Sequence, residues 1–171
     1  MAKVTTGSGD GGYTSLLGNQ RVPKYDPRPD TFGTIDEATS ALGLARAHAA
    51  DERVAAIILH AQRDLYVLMA ELATPPEHLA AVGMRITPEH ITWLEQTEEQ
   101  LKAAVAIPNK FIIPGDTVTG ATLDLARTII RRADKENRFP VGKVGSVKMP
   151  IFATFSAPTP LYFLNWGSIS T

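Results

Sequence analysis

The chain contains no cysteine among its 171 residues. Disulfide bonds, zinc–thiolate centres and thiol catalysis are therefore excluded. No run of about 18 apolar residues is present, which is the length that a membrane-spanning helix requires. The formal net charge is −1, whereas nucleic-acid-binding domains are usually basic. We therefore expect neither a membrane nor a nucleic acid as a partner.

Two further absences concern the ends of the sequence. The first residues lack the apolar core of a secretory signal peptide, which indicates a cytoplasmic protein. Residues 140–171 contain no Asp or Glu at all, unlike the rest of the chain. The length and the apolar share of 44% fit one domain with a sizeable core. We therefore treat residues 1–171 as one domain with a divergent C-terminal segment at 137–171.

Among the features that are present, the stretch Ala121–Glu136 (ATLDLARTIIRRADKE) has clear helical periodicity. One edge, which we call the arginine edge, carries Arg127, Arg131, Asp134 and Lys135. This edge is either a solvated face with ordinary ion pairs or an anion site, because guanidinium groups suit phosphate oxygens. The predicted apolar face consists of Leu123, Leu125, Ala126, Ile129, Ile130 and Ala133.

Residues 5–24 (TTGSGDGGYTSLLGNQRVPK) contain five glycines. Glycine permits positive φ and close approach of a ligand, and successive N–H groups in such a segment can form an anion-binding nest. The segment is not a P-loop, because no Gly-Lys-Ser/Thr follows, and no strand–turn–helix pattern frames it as a dinucleotide fingerprint. Taken alone, a glycine-rich N-terminus is more often a flexible tail.

A first helix is predicted to begin at Thr34, which forms a capping box with Glu37. Residues 25–33, with two prolines, are predicted to be an extended link. A second helix is predicted from about Asp51 to Leu72, and a third begins at Thr87, which precedes a proline.

His60 lies beside the apolar face of the second helix. We interpret it as a core or interface histidine rather than a metal ligand, because no second histidine lies at ligand spacing.

Three blocks resemble PduO-type ATP:cob(I)alamin adenosyltransferases, in that family's order. Residues 5–24 are similar to the family's TKTGDxGxTSL…RxxK, FGTIDEATSALGLA to yGTiDELnSalGlA, and ARTIIRRADK to ARTxxRRAER. The resemblance covers roughly residues 3–136. It implies an all-α, up-and-down, ferritin-like bundle of four to five helices. A nucleotide-binding loop would occupy residues 1–33 and the helical core residues 34–136.

The resemblance implies that ATP contacts the glycine-rich segment, the arginine helix and the C-terminal segment. It also gives catalytic roles to Arg131, Asp134 and Phe111. The family has a cation at the position of Gly7, and Glu and Arg at positions 134 and 135. The implied ATP-binding residues are Thr6, Gly7, Ser8, Gly9, Asp10, Gly11, Gly12, Tyr13, Thr14, Ser15, Arg21, Lys24, Arg131, Arg132, Asp134, Lys135 and Asn165.

Two further roles follow from the resemblance, each with a plainer alternative. Phe111 lies in NKFIIPGD, similar to the family's KFILPGG, and would cover the lower face of the corrin ring; otherwise it fills the core. Asp36 would pair with Arg127 across the interface of a homotrimer. Otherwise Asp36 is a first-turn carboxylate stabilised by the helix dipole.

The implied activity is transfer of the 5′-deoxyadenosyl group of ATP to cob(I)alamin, giving adenosylcobalamin and triphosphate. Mg²⁺ would arrive with ATP, without predicted protein ligands. A flavin-type reductase or an adenosylcobalamin-dependent enzyme is a further implied partner. Two alternatives stay open: a catalytically weak relative that carries or senses ATP or corrinoid, and a bundle with a scaffold role.

Overall fold

The computed structural model describes residues 7–104 and 113–136. Within these ranges a two-stranded antiparallel hairpin precedes a helical bundle, which confirms the predicted all-α class. No helix of the described part is both long and apolar enough to cross a lipid bilayer. The strands are β1 (Tyr13–Ser15) and β2 (Arg21–Pro23). The helices are α1 (Pro27–Ala47), α2 (Glu52–Leu72), the single turn α3 (Leu79–Val82), α4 (Pro88–Ala104) and α5 (Val118–Glu136), and a 3₁₀ turn, Pro76–His78, precedes α3.

Helix α1 begins earlier than predicted. Asp26 is its N-cap: the carboxylate accepts a hydrogen bond from the Arg28 backbone N–H at 3.0 Å, and Pro27 occupies the first helical position. Prolines are tolerated here because the first N–H groups of a helix have no partner inside it. The predicted N-cap Thr34 and the extended link before it are therefore wrong. Thr34 lies inside the helix, where its hydroxyl donates to the Asp30 carbonyl at 3.0 Å.

The predicted bounds of α2 and the predicted start of α4 are confirmed. Asp51 caps α2 by accepting hydrogen bonds from the backbone N–H groups of Arg53 and Val54 at 2.7 and 3.4 Å. Helix α4 begins at Pro88. Before it, the Thr87 N–H donates to Nδ1 of His90 at 3.1 Å, so this histidine takes the place that Glu or Gln holds in a capping box.

The core lies between the long helices, and α1 packs most extensively against α5. Ala38 and Ala45 of α1 and Ala126 and Ala133 of α5 are all buried. Small side chains at these positions let the two backbones approach closely. The predicted apolar face of α5 is confirmed except at Leu125, which is 52% exposed.

Contacts near both ends of α5, and one between α2 and α4, establish how the helices run relative to one another. The Thr119 hydroxyl at the start of α5 donates to the carbonyl of His48, just after α1, at 2.9 Å. Arg132, near the end of α5, pairs with Glu37 of α1. Helix α5 is therefore antiparallel to α1 and parallel to α2. On the other side, Arg53 of α2 donates to Gln100 of α4 at 3.3 Å, so the bundle runs up and down.

Candidate functional site

The glycine loop, residues 7–12, consists of two successive tight turns. The Asp10 N–H donates to the Gly7 carbonyl, and the Gly12 N–H donates to the Gly9 carbonyl, both at 3.2 Å. Gly7 and Gly12 have φ of 70° and 81°, which residues with a side chain rarely adopt. Most of the loop is exposed to solvent. Its backbone is therefore folded and accessible to a ligand, in contrast to a flexible tail.

Two basic side chains, one from β2 and one from the residue that follows it, contact this loop. The Arg21 guanidinium donates to the Ser8 carbonyl at 2.9 Å. The Lys24 backbone N–H donates to the Gly12 carbonyl at 2.9 Å. The Lys24 side chain lies over Gly9, where an added Cβ would be 3.3 Å from Lys24 Nζ. The loop therefore places an ammonium group beside exposed glycine backbone, an arrangement suited to an anion.

The arginine edge of α5 is partly engaged within the chain. Nε and one terminal nitrogen of Arg127 both lie 2.8 Å from Oδ1 of Asp124. Arg131 is exposed on this edge. The neighbouring Arg132, which is not part of the edge, is also exposed and pairs with Glu37. Because guanidinium groups on a solvent-facing edge can contact phosphate oxygens, this edge can bind a polyanion.

The glycine loop and the arginine edge lie at the same end of the bundle. The hairpin leads directly into α1, since the Asp26 N–H donates to the Pro23 carbonyl at 2.9 Å. It therefore lies at the end where α1 begins. Helix α5 runs antiparallel to α1, so its last turns approach that same end. The fold thus directs two basic, polyanion-compatible elements, distant in sequence, toward one end of the molecule.

Comparison with known proteins identifies the family of this chain. The family model described as cobalamin adenosyltransferase matches residues 4–138. The chain belongs to this family. That match includes the hairpin, the glycine loop and all of α5, so the basic end of the bundle lies within the part that defines a cobalamin adenosyltransferase.

Individual relatives agree with this assignment. The corrinoid adenosyltransferase of Citrobacter freundii is 36% identical over 135 residues, which cover 79% of this chain and 77% of that protein. The corrinoid adenosyltransferase PduO of Salmonella typhimurium is 37% identical over 132 residues. Those residues cover 77% of this chain and only 39% of the Salmonella protein. The chain therefore spans less than half the length of that relative.

Solved structures of the family share the fold. A variant PduO-type ATP:corrinoid adenosyltransferase from Lactobacillus reuteri, complexed with cobalamin and ATP, matches with a TM-score of 0.79 and 25% identity. The match covers 95% of this chain and 88% of that one. Another variant of the same enzyme, complexed with ATP, matches with a TM-score of 0.76. The bundle is therefore that of a corrinoid adenosyltransferase.

Most, but not all, of the residues predicted to bind ATP lie in the described part of the chain. The hairpin and glycine loop bring Ser8, Gly9, Gly12, Arg21 and Lys24 together. The side chains of residues 134 and 135 fall outside the described part, although their backbone belongs to α5. Thr6, Phe111 and Asn165 also lie outside the described residues. Their predicted roles remain predictions.

The predicted pair of Asp36 and Arg127 concerns two subunits and stays a prediction. Asp36 is exposed on α1, beside the ion pair of Glu37 and Arg132. Arg127 is three-quarters buried and is oriented by Asp124. Asp36 is therefore accessible to a second subunit, and the Arg127 side chain is already oriented by its bond to Asp124.

A buried polar group between α2 and α4 was missed from the sequence. Asp64 is 5% exposed. Nε2 of His60 lies 3.6 Å from one of its oxygens, and Nε2 of His90 lies 3.9 Å from the other. The His60 ring stacks on Trp93 with centroids 3.6 Å apart. Sequence spacing did not reveal His90, which reaches the same carboxylate from another helix, while the interpretation of His60 as a core or interface histidine agrees with these contacts.

The environment of Asp64 is unusual for a carboxylate. Burial raises its pKa, while the charges of His60 and His90 act in the opposite direction. Its Oδ2 atom is fully buried without a hydrogen bond, which disfavours the charged form. Within the described ranges no three His, Asp or Glu side chains are arranged to hold a metal ion. We therefore interpret this group as a polar contact between helices.

Proposed function

We propose that this protein transfers the 5′-deoxyadenosyl group of ATP to the Co(I) centre of reduced cobalamin. The observation that carries the proposal is the position of Lys24 over the glycine loop, at the bundle end that also receives the arginine edge. Membership in the cobalamin adenosyltransferase family supports it. So do the ATP and cobalamin complexes of the related Lactobacillus reuteri enzyme.

The chemistry needs no nucleophilic side chain. In the proposed reaction the Co(I) centre of the cobalamin substrate attacks C5′ of the ATP ribose. A cobalt–carbon bond forms, the C5′–oxygen bond breaks, and its electron pair leaves with triphosphate. The protein then has two tasks: to hold both substrates in line and to stabilise the charge of the leaving group. These tasks agree with a chain that contains no cysteine.

The roles of the described residues follow from charge and accessibility. Lys24 and the amides of the glycine loop would contact the triphosphate. Arg21 would hold the loop in shape through the Ser8 carbonyl. Arg131 would contact the same phosphates from α5. Mg²⁺ enters with ATP as part of the substrate, because this ion usually binds through phosphates and few protein ligands.

The remaining roles rest on the resemblance alone. We propose that Asp134 and Lys135 extend the triphosphate contacts, that Asn165 and Thr6 contact the nucleotide, and that Phe111 covers the lower corrin face. An apolar cover would keep water or a base from the cobalt and thus ease the reduction of Co(II).

The proposal extends to assembly and cellular context. The protein would be a homotrimer in which Asp36 meets Arg127 of a neighbouring subunit. It would act in the cytoplasm, where ATP is available. Its further partners would be a flavin-type reductase that supplies Co(I) or an enzyme that consumes adenosylcobalamin.

One observation favours a second candidate, a weakly active relative that carries or senses ATP or corrinoid. Gly7 has no side chain where the family has a cation, and its φ of 70° favours glycine at this position. A phosphate contact present in the family is therefore absent at this point of the loop.

The decisive experiment is formation of adenosylcobalamin from ATP and chemically reduced cobalamin. We expect turnover with one triphosphate released per adenosyl group. Arg131→Ala should lower kcat/KM by about tenfold or more, as expected from loss of a charge-assisted contact. Arg53→Ala removes an exposed side chain of α2 whose described hydrogen bond is to Gln100, and it should leave turnover unchanged.

The other outcomes separate the alternatives. ATP binding without turnover would favour the carrier or sensor. Absence of both binding and turnover would favour a scaffold role. Equal losses in Arg131→Ala and Arg53→Ala would remove Arg131 from the site.

A further inference from the structure

Gly18, at the tip of the hairpin, lies directly against the ring of His78. A Cβ added at Gly18 would be 2.6 Å from Cδ2 of His78, closer than real Cβ contacts occur. Gly18 also has φ of 95°, a conformation that residues with a side chain rarely adopt. Two independent constraints, backbone conformation and space, therefore require glycine at this position.

The same tip is bonded to the segment that follows α2. We call residues 73–78 the α2 corner. The Leu17 N–H donates to the Ala73 carbonyl at 2.9 Å. Next to it, Leu16 is 3% exposed, and its N–H donates to the Gln20 carbonyl at 2.8 Å. The hairpin tip is thus fixed to the bundle by a backbone bond, a buried side chain and the close contact at Gly18.

The opposite end of the hairpin carries the glycine loop. Tyr13 pairs with Pro23 at that end, and Lys24 follows immediately, with its N–H bonded to Gly12. Each strand has only three residues, about 10 Å. A shift of the tip therefore tilts the short hairpin as one unit and moves the glycine loop together with Lys24.

We propose that the contact of Gly18 with the α2 corner positions the glycine loop for ATP. Gly18 is a positioning residue that acts through the hairpin and does not touch the nucleotide, and the His78 ring limits the space beside it. This inference rests on the proposed function, since it assigns the loop to ATP.

The experiment compares Gly18→Ala, His78→Ala and the double variant with the wild type. Gly83→Ala is the matched control, because Gly83 has φ of 68° and open space around its Cβ position. Two quantities are measured: the KM for ATP in the transfer reaction, and the hydrogen-exchange rate of the Leu17 amide without ligand.

We expect Gly18→Ala to raise the KM for ATP about tenfold or more, since a displacement of about 1 Å can reduce activity up to a hundredfold. The KM for cobalamin and the helix content should stay unchanged. The Leu17 amide should exchange about tenfold faster, as its bond to Ala73 opens. The double variant should regain part of both losses, because His78→Ala provides the missing space. His78→Ala alone and Gly83→Ala should resemble the wild type.

Three results would overturn the inference: a normal KM for ATP in Gly18→Ala, an equal rise in Gly83→Ala, or no recovery in the double variant. Failure of the proposed function itself gives a different pattern, in which the wild type does not use ATP. In that case fast Leu17 exchange in Gly18→Ala would still show that Gly18 fixes the hairpin tip to the α2 corner, but the role of this contact in ATP binding would be refuted.

Discussion

Lys24 lies so close to Gly9 that a methyl group at Gly9 would come within 3.3 Å of both its Cε and Nζ atoms. The ammonium group is thus held beside the backbone that would meet a phosphate. We expect Lys24→Ala to weaken ATP binding about tenfold or more, since charge-assisted hydrogen bonds contribute about 1.5–3 kcal/mol. Gly9→Ala should cause a smaller loss, because the ammonium can move by a few tenths of an ångström.

Calorimetric titration with Mg·ATP measures both effects. Lys102→Ala is the control, because Lys102 pairs with Glu98 on α4 at 2.6 Å, outside the candidate site. Wild-type affinity in Lys24→Ala would show that the ammonium does not bind phosphate.

Gly7 offers a test of the missing cation. Gly7→Lys should tighten ATP binding, because it adds a charge where the family has one. It should also lower the free energy of unfolding by about 1–2 kcal/mol, since a side chain at φ of 70° is strained. Gly11→Lys is the control. It adds the same charge at a position where no atom lies within 4 Å of an added Cβ and φ is not positive. If Gly7→Lys leaves the ATP affinity unchanged, other groups already satisfy the phosphate.

Asp36 and Arg127 test the assembly. If they pair across subunits, Asp36→Ala should lower the mass measured by light scattering, because one charge of a partly buried pair is left uncompensated. The charge-exchange variant, with Arg at 36 and Asp at 127, should recover part of the assembly. Arg127→Ala is complicated by the loss of its bond to Asp124. Unchanged mass and activity in both single variants would exclude this pair from the interface.

The burial of Asp64 predicts how the free energy of unfolding changes with pH. Burial raises its folded-state pKa above the reference value of 3.8. Between these two values the folded protein binds more protons than the unfolded chain, so the contribution of Asp64 to stability falls as pH rises. Asp64→Asn removes the buried charge. It should therefore raise the free energy of unfolding, relative to wild type, more at about pH 7.5 than at about pH 4.

Urea unfolding at the two pH values measures this difference. Asp26→Asn is a control of opposite sign, because the hydrogen bond from the Arg28 side chain lowers the pKa of Asp26. Stability from Asp26 is present above pH 3.8 and is lost as pH falls, so its removal should cost more near neutrality. The same pH trend in both variants would contradict the burial argument for Asp64.

Local sequence signals predicted the helices well where each signal was read in full. The bounds of α2 and the start of α4 followed from Asp51 and from Thr87 with its proline. The start of α1 was wrong, although Asp26 and Pro27 form the same type of signal as Thr87 and Pro88. The prediction that Leu125 belongs to the buried face was wrong, because periodicity gives the direction of a side chain but not the width of the face that a neighbouring helix covers.

The candidate site was only partly predictable. The glycine loop and the arginine edge could be found from motifs, because each is continuous in sequence. The contacts of Asp64 with His90 and of Gly18 with His78 depend on the register between separate elements. Local propensity does not determine that register, because it results from packing of the whole core.

The most extensive helix pair joins the two ends of the described chain, and this has a consequence for biosynthesis. Glu37 and Arg132 lie 95 residues apart in sequence. At about 5–20 residues per second, a ribosome needs on the order of 5–20 s to make that interval. Until α5 emerges, α1 lacks the most extensive of its described helix contacts, and part of its apolar surface remains uncovered. A nascent chain therefore exposes apolar surface of α1 for longer than a bundle built from sequential neighbours would.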